Sequence, residues 1–195
     1  MREHEYETEI DTRLEGKLGF DRVRTFVADR CSTEYAVTRV TEERFSDDPK
    51  VIRERLALTD EMRLIVMFEE NFPTNGYIDC LDFLKPLEKT GYTIDILSLG
   101  KLRTMVETVR KLTNFFMSIK DGVYPNLKRM SAPVLSFPEV QRRIDQILDK
   151  FGDVKDTASD KLLEIRRAIK TKEGAISKRA NAILKQAQAD GLVDE

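Results

Sequence analysis

The sequence is poor in the groups that catalysis uses most. Its 195 residues contain one histidine, His4, and two cysteines, Cys31 and Cys80. His4 lies in an acidic N-terminal stretch, which argues against a histidine-based triad, and one imidazole is too few for a histidine-rich metal centre. The cysteines lack CxxC spacing in a chain long enough to fold without covalent staples. Both therefore read as reduced thiols, with a disulfide between them as the less favoured alternative. Cys31 would be reactive only if a helix N-terminus near Ser32 lowered its pKa; an ordinary half-buried thiol is the plainer reading. No nucleotide-binding loop is present, because Gly16-Lys17 runs into Leu18 and has no upstream glycine. The acidic pairs Glu42-Glu43 and Glu69-Glu70 are adjacent rather than four apart, as on solvated helix faces. Only a carboxylate pair assembled in three dimensions stays open. No catalytic, cofactor-binding or metal-ligating residue is assigned.

Long apolar runs are also missing. None approaches the roughly eighteen residues that a membrane span needs, and the opening Met1-Arg2-Glu3-His4-Glu5 is charged, without a signal-peptide core. The reading is a cytoplasmic protein with no membrane partner. What is present is a chain of 41% apolar residues, enough for one sizeable core with an extension. Its net charge of −2 hides an asymmetry. Lys155 to Ala189 carries nine basic and four acidic residues, a local +5, which leaves −7 for the remainder. The opening is acid-rich at Glu3, Glu5, Glu7, Glu9, Asp11 and Glu15. If any part meets a polyanion it is the basic stretch, the plain alternative being a solvated helix surface.

The segments read as successive helices. Leu18, Val23, Phe26 and Val27 share a face of a first helix that breaks near Cys31, and Ser32 or Thr33 can cap a second carrying Ala36, Val37 and Val40. Pro49 opens a third, through Val51, Ile52, Leu56, Met62, Ile65, Val66 and Phe68, with a bend placed near Leu58-Thr59-Asp60; Phe72 to Gly76 is a loop. Cys80 to Leu87 is short and amphipathic. Ser98 reads as the cap of the strongest body helix, with Leu99, Leu102, Met105, Val106, Val109, Leu112, Phe116 and Ile119 at threes and fours. A helical turn around Tyr124 and Leu127 precedes a helix with Val140, Ile144, Ile147 and Leu148. The Phe115-Phe116 pair and Met62, Met67 and Met105 are assigned to the core. Phe151 to Asp156 reads as a tight turn or minimal hairpin.

From Ser159 to about Ala189 there is no proline, and apolar residues recur at Leu162, Ile165, Ile169, Ile176, Ala180, Ile183 and Ala187. Thr157 or Ser159 can cap this helix, which at 1.5 Å per residue would reach about 45 Å. The spacing approximates a coiled-coil seam, interrupted by Lys172 and Glu173 and thinned by alanine, suited to one antiparallel partner helix. Lys170, Lys172, Lys178, Arg179 and Lys185 lie beyond its first turns and are the candidate nucleic-acid contacts. A row of cations can meet backbone phosphates without reading sequence, and no aromatic is interleaved to stack on single-stranded bases.

The run Phe151-Gly152-Asp153-Val154-Lys155-Asp156-Thr157-Ala158-Ser159-Asp160-Lys161-Leu162, with Ile165-Arg166, Ile176-Ser177-Lys178-Arg179, Ile183-Leu184 and the closing Asp190-Gly191-Leu192-Val193-Asp194, resembles the N-terminal half of the second bacterial MutS lineage. These are paralogues of mismatch-repair MutS that lack its mismatch-reading domain. Leu18-Gly19-Phe20-Asp21-Arg22-Val23, Cys31-Ser32-Thr33, and Leu56 to Ile65 with Thr59 and Glu61 agree with it. The resemblance implies an all-α fold: a multi-helix core or lever over residues 1–158, with at most one short hairpin near 151–158, and at 159–195 the outgoing helix of a coiled-coil clamp. It implies a non-catalytic piece of a DNA-binding ATPase. ATP, magnesium and a C-terminal Smr nuclease domain are expected downstream of Glu195. Implied partners are branched or duplex DNA, a ribosome or its RNA, the returning clamp helix, and a second copy of the full-length protein. The implied roles are repair, control of recombination, or ribosome quality control. A helical protein-interaction scaffold with a coiled-coil arm and no nucleic-acid role is the alternative.

Overall fold

The computed structural model describes residues 13–192, and these are helical with no strand among them. The expectations placed on His4, on the acidic opening from Glu3 to Asp11 and on Val193-Asp194-Glu195 lie outside the described residues. Two compact units divide the chain, Met1–Gln141 and Arg142–Glu195.

The first unit opens with helical residues 13–18, followed by α1 (Phe20–Ala28) and α2 (Glu34–Glu42). The single first helix expected from Leu18 to Val27 is interrupted at Gly19, whose φ of 70° is left-handed and open to glycine without a Cβ penalty. The break turns the 13–18 segment so that Glu15, which is buried, meets Arg24 of α1, and the same guanidinium donates to the Val40 carbonyl of α2. Of the two candidate caps for α2, Thr33 is used: its hydroxyl accepts from the Ala36 amide at 3.1 Å.

The next helix, α3 (Pro49–Phe68), is continuous. Proline occupies its first turn, and the Asp48 carboxylate accepts from the Lys50 amide at 2.8 Å. After the loop at 72–76 come a single helical turn, α4 (Leu81–Leu84), a 3-10 turn (Lys85–Glu88) and α5 (Ile96–Ser118). Asp95, not Ser98, caps α5, its carboxylate accepting from the Ser98 amide at 2.9 Å. Then follow α6 (Pro125–Ser131) and α7 (Pro138–Ile147), within which the division between the units falls.

The core of the first unit gathers Ile65, Phe72, Phe115, Phe116, Tyr124 and Leu127. Phe72 sits edge-on against Phe115 at 5.2 Å, and Phe115 likewise against Phe116. Phe115 and Phe116 are thus core. Met62 and Met67 are not: both are exposed, Met62 at the edge of the buried face one turn before Ile65 and Met67 on the side turned away from it, and only Met105 is half-buried. Helical spacing beside apolar neighbours cannot tell which of two apolar faces is covered.

The polar joint of this unit is Glu61. Its buried carboxylate accepts from the Asn126 amide (3.1 Å), the Asn126 side chain (2.6 Å) and the Leu127 amide (2.8 Å). Those amides belong to the first turn of α6, where Tyr124 supplies no side-chain cap. A carboxylate from α3 thus caps a helix more than sixty residues away. Nearby, Tyr124 donates its hydroxyl to Glu69 at 3.0 Å.

In the second unit Ile144 and Leu148 are buried. Leu148 and Val154 form one antiparallel bridge, closed by Asp149 N–H to Asp153 O (2.9 Å) and Lys155 N–H to Ile147 O (2.8 Å). This is the minimal hairpin that the 151–156 segment predicts. A 3-10 turn (Asp156–Ala158) leads into α8 (Asp160–Ala189), a helix of 30 residues.

Candidate nucleic-acid interface

The start of α8 is fixed by side chains of its own unit. Ser159 is the cap, its hydroxyl accepting from the Leu162 amide at 3.2 Å. One turn on, Arg166 donates to the Val154 carbonyl at 3.0 Å and pairs with Asp156, so the helix is tied to the bridge and to the turn before it. The Arg166 hydrogen bond holds the Asp156 carboxyl below the ordinary aspartate range, helped by the charges of Arg166 and Lys170. These anchors stop at the second turn. From Arg167 to Gln186 every residue is exposed, and the stretch carries Arg167, Lys170, Lys172, Lys178, Arg179 and Lys185 against Glu173 alone.

All five candidate contact residues therefore lie on exposed helix, but not on one face. At about 100° per residue, Leu162, Ile165, Ile169, Ile176, Ala180, Ile183 and Ala187 form a single stripe. Its isoleucines keep 45% to 67% of their surface. Lys178 and Lys185, one heptad apart, lie on the opposite side, and Lys170 is displaced toward one edge of that side. Lys172 and Arg179, also a heptad apart, instead border the apolar stripe. Arg167 shares the face of Lys178 and Lys185, spanning about 27 Å with Lys185. Arg167 is absent from the candidates that the sequence alone suggests. The signal was available, since counting the helical period from the Ser159 cap places it there.

The thiols offer no competing site. Cys31 donates to the Val27 carbonyl at 3.4 Å, at the C-terminal end of α1 rather than at a helix N-terminus, and both cysteines are free. Cys80 lines an apolar cleft of about 540 Å³ with Tyr35, Leu102, Met105 and Phe137. Burial, aided by the Asp79 charge, pushes its thiol pKa up, away from the nucleophilic thiolate. Of the acidic pairs, Glu43 is bonded to Arg55 at 2.7 Å and Glu69 to Tyr124. Among the described residues no group of three or more His, Cys, Asp or Glu side chains is placed to hold a metal, and no helix is long and apolar enough to cross a membrane.

Fold and surface thus define an all-α protein whose 30-residue helix exposes an apolar stripe and a cationic back. The chain is similar, over nearly its whole length, to the MutS2 endonucleases. It is 24% identical over 188 residues, 95% of this chain, to endonuclease MutS2 of Listeria innocua and equally to that of a Geobacillus species. It is 27% identical over 177 residues, 90% of this chain, to endonuclease MutS2 of Clostridium perfringens. The chain spans 22% to 24% of the length of these relatives. No family model matches it.

Proposed function

We propose that this chain is the non-catalytic lever and outgoing clamp helix of a MutS-like DNA-binding ATPase, with residues 1–158 as the lever and 159–195 as the clamp helix. The observation that carries this reading is the coincidence of two features: similarity to MutS2 proteins over 95% of the chain, and an exposed helix whose back bears Arg167, Lys170, Lys178 and Lys185. In this reading those cations meet the phosphate backbone of duplex or branched DNA. Each releases condensed counterions and none reads a base. ATP, magnesium and any nuclease activity belong to parts outside this chain. Dimerisation of the longer protein, and action on ribosomal RNA instead of DNA, are further members of the same reading, since an A-form backbone presents the same phosphates. The exposed isoleucine stripe, which a nucleic acid would not cover, meets the returning clamp helix in this reading and a coiled-coil partner in the scaffold alternative.

Titrating the chain against linear and four-way-branched duplexes at low and at physiological salt tests the proposal. Binding that weakens steeply with salt on either substrate supports it. Salt-insensitive binding, or none at low salt, would leave the scaffold reading in its place.

A further inference from the structure

We propose that Asn75-Gly76 is a self-modifying site, at which the Asn75 carboxamide cyclises onto the Gly76 nitrogen and opens to aspartate and isoaspartate. Two groups have to meet, an electrophilic carboxamide and the next backbone nitrogen. The Asn75 side chain is exposed at the tip of the 72–76 loop. Among the described residues no hydrogen bond takes up either its carboxamide or the Gly76 N–H. Gly76 has no Cβ to shield its nitrogen. The other four asparagines lack this combination. Asn71 precedes Phe72, whose bulky side chain crowds the nitrogen that would attack. Asn114 and Asn181 lie inside α5 and α8, where the following N–H is bonded along the helix. Asn126 donates its carboxamide to Glu61, and the Leu127 N–H donates to the same carboxylate.

The reaction needs only water. The Gly76 nitrogen gives up its proton to solvent base and attacks Asn75 Cγ; the new C–N bond forms as the bond from Cγ to the amide nitrogen breaks, and ammonia leaves. Water then opens the cyclic imide. Cleavage at Cγ leaves aspartate at 75. Cleavage at the main-chain carbonyl leaves isoaspartate, whose main chain is longer by a methylene and whose former carbonyl is a carboxylate. The loop has no slack for that insertion. Phe72 is buried against Phe115 at its start, and the Tyr77 hydroxyl donates to the Pro73 carbonyl at 2.9 Å, closing its other end. Between these, a Cβ on Gly76 would lie 2.3 Å from the hydroxyl oxygen of buried Thr108, and the Asn75 carbonyl stands 3.5 Å from the same oxygen. That hydroxyl gives its proton to the Thr104 carbonyl at 3.0 Å, the better of its two acceptors. Isoaspartate therefore drives a carboxylate and an extra methylene against α5, so that modification at an exposed tip loosens a buried contact.

The test holds the native chain and Asn75→Gln in warm, mildly alkaline buffer for days and follows both by peptide mass spectrometry. Glutamine closes its larger imide ring far more slowly, and it keeps an uncharged carboxamide at the tip. The native chain should gain about 1 Da on the peptide containing Asn75, faster as the pH is raised, with isoaspartate exceeding aspartate in the fragment spectra. The peptides of Asn71, Asn114, Asn126 and Asn181 should stay unchanged over the same time. In the aged native chain, hydrogen exchange at residues 72–77 and 104–108 should accelerate and the urea midpoint should fall, while aged N75Q keeps both at their starting values. Fresh N75D, which carries the charge without the extra methylene, should match the fresh native chain. An unmodified Asn75, or a mass gain that appears equally at the other asparagines, would overturn the site. A modified chain whose exchange and urea midpoint match those of the fresh protein would overturn its link to α5.

Discussion

Glu61 shows how much one side chain can join. Its carboxylate is buried and accepts three hydrogen bonds from the start of α6, so removing it strands two amides where no other acceptor is placed. Glu61→Ala should lower stability by about 2–3 kcal/mol in urea unfolding, and Glu61→Gln by less, because its one carbonyl oxygen still accepts. Gly76 is a second such position. Its φ is 83°, and an added Cβ would lie 2.3 Å from the Thr108 hydroxyl oxygen, which belongs to a buried residue of α5. Gly76→Ala should cost about 1–3 kcal/mol by the same measurement. In the sequence, Glu61 stands out only through a family likeness and Gly76 only as part of a loop. Periodicity identifies which residues face a core, but it does not say that a carboxylate will meet the end of a helix sixty residues on.

The helices themselves were more legible than their starts. The arm was readable from its cap to its end because Ser159 is followed by an apolar stripe uninterrupted by proline. For α5 the apolar spacing begins at Leu99, but the helix starts earlier, at Ile96 and Leu97, which are exposed and so add nothing to a pattern of burial. The cap consequently fell on Asp95. Gly19 broke the first helix although apolar residues keep helical spacing across it. In α8, Gly174 sits in the helix interior with open space where a Cβ would go. Gly174→Ala should stabilise the arm by about 1 kcal/mol, read as a higher helical melting temperature by circular dichroism. The base of the arm should respond to acid. Asp156 has its folded pKa depressed, so its contribution is complete above the ordinary aspartate value of about 3.9 and is lost as the pH falls toward the depressed value. Hydrogen exchange at the first turns of α8 should accelerate in that window relative to Asp156→Asn, which lacks the titration.

At the scale of the molecule, composition foretold the charge imbalance, a basic stretch that the structure places on one exposed helix. It did not foretell the sorting of that charge. Five cations in a row along the sequence become two groups on α8, Lys170, Lys178 and Lys185 behind and Lys172 and Arg179 beside the stripe, because a helix turns about 100° per residue. The proposed function stands or falls on whether the back face grips a phosphate backbone. The most direct measurement is the slope of log affinity against log salt for one linear duplex, compared between the native chain, K178E/K185E and K172E/R179E. A phosphate-gripping back face predicts a steep negative slope for the native chain, a slope shallower by nearly two for K178E/K185E with much weaker binding, and a smaller change for K172E/R179E. A native slope near zero, or an unchanged slope in K178E/K185E, would contradict it.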